Sequence, residues 1–151
     1  MRSGDGNRGI LKPIMLRHLR TFTPFITGLA VLAVGVFFGV WWGLYDAIPH
    51  FDKMIHVLGG VVAAWLILSL LQKEVTRMAG WKQVLIITGV AVLTGVAWEW
   101  AEFASNYAQF SHPTWYFYFH GGDLADTMVD LVADTLGALL LIGWALYKER
   151  T

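Results

Sequence analysis

The 151-residue sequence contains no cysteine. That excludes a disulfide framework and a thiolate metal site, and it leaves the redox compartment open. Charge is scarce too. Asp, Glu, Lys and Arg make up 15% of the chain, against roughly 25% in soluble domains. The charges that exist are segregated, with long uncharged runs between short basic clusters. Acids and bases balance at 11 each, so net charge identifies no partner. No basic face is available for DNA or RNA, which sets nucleic-acid binding aside. Several membrane chemistries are missing their signatures: there is no HExxH for a zinc protease and no GxSxG nucleophile elbow. Histidine boxes of the kind used in di-iron lipid oxidation are absent as well.

What is abundant is apolar. Hydrophobic residues reach 56%, with 8 Trp. Four apolar runs, at about 24–45, 53–71, 81–103 and 124–147, are each long enough to cross a hydrocarbon core of about 30 Å. The expected fold is therefore all-α, a polytopic membrane protein built as a four-transmembrane-helix bundle. Residues 1–23 form a basic N-terminal segment, with Arg2, Arg8, Lys12, Arg17 and Arg20 against Asp5. Ile10 to Leu19 reads as a short interfacial helix. Residues 24–147 are the membrane domain and 148–151 the tail. The first run is too long for a signal peptide and ends in Trp41-Trp42, without a small-residue cleavage site. Thr23-Pro24 reads as its cap and first helical residue. Gly35, Gly39 and Gly43, spaced by four, read either as a small-residue seam for close helix contact or as glycines simply tolerated in a membrane helix.

Charge then orients the spans. The N-terminal segment, the 72–82 loop and the C-terminus hold 10 of the 11 Lys and Arg, while the 45–52 and 104–122 loops hold none. Both termini are expected on the cytoplasmic side. The aromatic run Trp115-Tyr116-Phe117-Tyr118-Phe119 is placed at the outer interface, or in a partly re-entrant lid over residues 104–122.

In this topology the acids converge. Asp52, Lys53 and His56 lie in the first turns of the second span. Glu99 and Glu102 lie in the last turns of the third. Asp123, Asp126, Asp130 and Asp134 follow at helical spacing in the first turns of the fourth. His56, Gly60 and Ala64 share one face, as do Ala91, Gly95, Glu99 and Glu102. A carboxylate at mid-bilayer costs roughly 2.5–3.5 kcal/mol on insertion scales, so Glu99, Asp130 and Asp134 on lipid would cost about 10 kcal/mol together. That rivals whole-protein stabilities of roughly 5–15 kcal/mol, so these groups must face inward. The result is a funnel from the outer surface, with Asp134 about 12 Å below Asp126 along the axis.

Seven acids here (Asp52, Glu99, Glu102, Asp123, Asp126, Asp130 and Asp134) meet only Lys53 and His56. Either several carboxyls stay protonated or a cation supplies the missing charge. Carboxylates with one imidazole suit Mg²⁺, Mn²⁺, Fe²⁺ or Zn²⁺. The expected metal ligands are His56, Glu99, Asp126 and Asp130. Glu102 or Asp134 is the expected base, and Lys53 pairs with a substrate anion. Blander readings stand beside these: Asp52 as a helix cap, Lys53 snorkelling to headgroups, His56 as a hydrogen-bonded core histidine, Glu102 and Asp123 simply hydrated.

The pattern Asp52-Lys53-x-x-His56, then Glu99-Trp100-x-Glu102, then Asp126-x-x-x-Asp130 through Asp134 and Gly137, resembles the YjdF-like family of small bacterial inner-membrane proteins. More distantly it resembles the VanZ-like superfamily, whose Gln and Arg after the third-span acid have no counterpart here. The resemblance covers roughly residues 45–143. It implies a four-helix membrane fold in the bacterial inner membrane and supplies no reaction. The VanZ-like likeness adds only an association with the cell envelope.

The leading functional expectation is a metal-assisted hydrolase or transferase acting on a lipid-linked substrate at the outer leaflet, with membrane lipids as partners. The alternatives are an ion or proton translocator and a non-catalytic scaffold or subunit whose acids satisfy one another.

Overall fold

A computed structural model of the chain describes residues 22–109 and 123–150. The interfacial helix at Ile10–Leu19 and the aromatic run Trp115–Phe119 lie outside them. The described residues are all-helical and contain four helices long and apolar enough to span a membrane. In chain order the elements are α1 (Phe22–Val34), continued by a π-helical stretch Gly35–Trp41, then α2 (Leu44–Ala47), α3 (Phe51–Leu70), α4 (Gln72–Val75), α5 (Gly80–Gln109) and α6 (Leu124–Arg150). The 104–122 segment therefore does not begin as a loop: α5 continues to Gln109. The fourth helix likewise runs past residue 147 to Arg150.

α3, α5 and α6 each bury one stripe. On α5 the buried positions are Gly80, Gln83, Ile87, Ala91, Gly95, Glu99 and Glu102, spaced by three or four. On α6 they include Asp130, Asp134, Gly137, Ala138, Ile142 and Ala145, and on α3 His56, Gly60, Ala64 and Leu68. The outward faces are apolar: Leu85, Leu93, Trp100, Val132 and Leu140 are all more than half exposed. In water such a surface would aggregate; against lipid it is the favourable one.

The inner stripe changes character along the bundle. At one end it is an apolar cluster of Ala64, Leu68, Val75, Ile87, Ala91, Ala138, Ile142 and Ala145. There the Gln83 amide donates to the Val75 and Met78 carbonyls at 2.9 and 3.2 Å, fastening the turn around α4 to α5. At the other end, where α3 and α6 begin and α5 ends, the same stripe carries His56, Glu99, Glu102, Asp130 and Asp134, all buried.

The tightest packing joins α3 to α6. A Cβ on Gly60 would overlap the Asp134 backbone, and one on Gly137 would overlap the Val57 carbonyl. Backbones can approach this closely only without side chains between them. The expected Gly35–Gly39–Gly43 seam is realised differently. Gly35 faces Ile55 and Gly39 lies under the Tyr45 ring. Gly43, at φ +68°, instead terminates the helix in a left-handed turn.

Candidate functional site

Three helix ends build the site. α6 is preceded by Asp123, whose Oδ1 accepts the Asp126 backbone N–H at 3.0 Å. Asp123 thus caps the helix and stands apart from the buried carboxylates that follow it. The expected cap at Asp52 does not form. His50, at φ 63°, precedes α3 without a side-chain cap bond, and the Asp52 carboxylate turns to Lys53 at 3.1 Å. A positive φ at a non-glycine residue is uncommon; here it turns the chain into α3 and sets His50 beside Lys53.

Lys53 is the centre of the first group of charges. Its Nζ donates to Asp52, to Asp126 and, at 2.8 Å, to Asp130 Oδ2. Its side chain is 19% exposed, against 36% for Asp126 and 2% for Asp130. A cavity of about 200 Å³ covers this cluster, lined by Tyr45, His50, Phe51, Asp52, Lys53 and Asp126.

His56 is the centre of the second group. Its Nδ1 lies 3.4 Å from Asp134 Oδ2. Its Nε2 faces the opposite way, 3.8 Å from Asp52, 3.8 Å from Glu99 and 3.9 Å from Asp130. With the proton on Nδ1 and shared with Asp134, Nε2 presents a lone pair toward the other acids, as in the carboxylate–histidine pairs that orient metal-binding imidazoles.

Among the described residues, two sets of groups offer ligand atoms within 4.8 Å of one another: Asp52, His56 and Asp130, and His56, Glu99 and Glu102. His56 is common to both. Glu99 Oε2 accepts a 2.8 Å hydrogen bond from the Thr127 hydroxyl. Its Oε1 is buried and accepts none among the described residues. Glu102 Oε1 accepts a 2.6 Å bond from Trp98 Nε1. A buried carboxylate oxygen without a donor costs free energy unless a cation or water meets it.

The expected site residues divide accordingly. His56, Glu99, Glu102, Asp130 and Asp134 come together. Asp126, expected beside Glu99, instead pairs with Lys53 at the more exposed end. Lys53, expected to meet a substrate anion, meets three carboxylates of its own chain. Asp134 lies against His56 and under Gly95, where a Cβ would run into its carboxylate. Three supporting residues were not anticipated in these roles: Thr127, Trp98 and Tyr45. The phenol of Tyr45 titrates at about 12, raised by burial first and then by the nearby charges of Asp52 and Glu102.

No curated protein and no solved structure matches the chain. A family model does, over residues 11–150, which is nearly its whole length. The chain belongs to the family described as Predicted membrane protein (DUF2238), the family to which the YjdF-like resemblance pointed.

Proposed function

We propose that this chain is a bacterial inner-membrane protein that holds a divalent cation among His56, Glu99 and Glu102, and that it serves hydrolysis or group transfer on an envelope lipid at the outer leaflet. The observation that carries the reading is Glu99 Oε1. It is a buried carboxylate oxygen that accepts no hydrogen bond from the described residues, beside an imidazole whose Nε2 points toward it at 3.8 Å. The charge balance agrees. Against Asp52, Glu99, Glu102, Asp126, Asp130 and Asp134 the cluster offers one ammonium, that of Lys53, among the described residues, and a metal-bound His56 carries no charge.

The ligand set keeps His56 and Glu99 from the spacing-based one. Glu102 takes the place of Asp126, because Lys53 already neutralises Asp126. Asp130 faces both groups and can complete the shell. One imidazole among carboxylates suits Mg²⁺, Mn²⁺, Fe²⁺ or Zn²⁺. Such an ion would polarise a phosphoryl or acyl oxygen of the substrate. Asp134 then positions His56 rather than serving as the base, and Lys53 holds Asp130 and Asp126 in place. Both termini are assigned to the cytoplasm by the distribution of Lys and Arg. That puts the charged end of the bundle at the outer face.

Metal analysis of the purified protein tests the reading. Stoichiometric divalent metal is expected, lost in Glu99→Gln and in Glu102→Gln and retained in Asp126→Asn. Metal-free protein, or metal that none of these variants removes, would overturn it. The Lys53 cluster favours one competing reading, a structural network that satisfies itself. That reading predicts a melting temperature unchanged by chelator, whereas a resident ion predicts a fall on chelation.

A further inference from the structure

We infer that the hydrocarbon chain of a membrane lipid enters this bundle sideways, through an apolar groove between α1 and α5 that ends at His56 and Asp134. The inference rests on the metal-site reading for its chemistry and on the packing of α1 for its geometry. α1 packs along α3 and makes no comparable contact with α5, so a cleft stays open between them. It holds a cavity of about 300 Å³, within the range of small-molecule sites.

Leu29 and Leu32 stand at its mouth, both exposed, and Val62 forms part of its wall. His56 and Asp134 lie at its inner end. Glycines line the groove. At its inner end a Cβ on Gly95 would run into the Asp134 carboxylate, one on Gly59 would rest in ordinary contact with Asp134 Oδ1 at 3.6 Å, and Gly28 lets α1 approach Val62 of α3.

The polarity of the groove selects its occupant. The mouth is continuous with the apolar outer faces of membrane-spanning helices, so what reaches it is the hydrocarbon of the bilayer. Water would gain little from walls of Leu and Val. A chain lying in the groove would bring its polar end to the histidine and the buried carboxylates. A soluble substrate would instead approach through the polar cavity over Lys53, so the two routes separate a lipid from a water-borne ligand.

A photoreactive p-benzoylphenylalanine in place of Thr94, an exposed residue lining the groove, tests this. The same probe in place of Val132, on an outward face, reports the surrounding lipid. The full chain is reconstituted in phosphatidylethanolamine–phosphatidylglycerol vesicles, extracted into detergent, washed and irradiated, and its metal content is read on the same sample. Should the probe at 94 prevent folding, the same probe in place of Leu32 reports from the mouth. The expected result is a phospholipid adduct at 94, formed with lipid that has survived the wash, and none at 132. Equal yields at both positions would overturn the inference, as would an adduct at 94 with residues 1–21 or with a second copy of the chain. A phospholipid adduct on metal-free protein would uphold the groove and sink the metal reading. Metal without an adduct would do the reverse.

Discussion

Lys53 holds the carboxylates of Asp52, Asp126 and Asp130 at once, and removing it leaves them facing one another. Breaking a buried pair by deleting one partner costs about 3–5 kcal/mol. With its side chain 19% exposed, Lys53→Met belongs at about 3 kcal/mol, read as a lower unfolding midpoint in detergent; an unchanged midpoint would show that water already screens the cluster. Thr127 supports Glu99 through a single hydroxyl. Thr127→Val should keep the fold and weaken metal binding by about tenfold, the low end for losing a supporting hydrogen bond. The charged residues were legible from sequence because lipid makes carboxylates costly, so Glu99, Asp130 and Asp134 had to face inward. Thr127 and Tyr45 were not. A threonine in a helix ordinarily bonds its own backbone, as Thr135 does to Leu131 at 2.7 Å. Tyr45 reaches the site only because the positive φ at Gly43 and His50 folds its loop back.

At the scale of elements, the crossing of α3 and α6 sets the geometry of the site. Gly60 and Gly137 let the backbones meet, and that contact places Asp134 against His56. Gly60→Ala should therefore cost about 1–3 kcal/mol through overpacking and also lower metal affinity, because α6 must shift. Gly89→Ala has open space around its Cβ and should leave stability and metal binding unchanged. Thermal unfolding and metal titration of the two variants check this; equal effects would mean that the close approach does not position the site. The four spans and their buried stripes were readable because an apolar run of about 20 residues allows few alternatives. The glycine seam at 35, 39 and 43 was only partly readable. Spacing by four shows that glycines share a face, but not that the backbone widens into a π-helical stretch before Gly43 ends it.

At the scale of the whole molecule, polarity is inverted relative to a soluble bundle. Leu and Trp face outward, and six of the buried or half-buried positions at one end are acidic. The proposed orientation puts that end outside. Because the chain has no cysteine of its own, single introduced cysteines report topology without background. Pro49→Cys should react with a membrane-impermeant maleimide in spheroplasts and Glu74→Cys should react only after lysis; the opposite pattern would put the site on the cytoplasmic side. The cation itself is the central claim. The most direct measurement is an anomalous-difference map from crystals of the protein grown with Mn²⁺. The account predicts a peak bounded by His56 Nε2, Glu99 and Glu102. A map without such a peak, with Lys53 and its three carboxylates ordered and water against Glu99 Oε1, would contradict it.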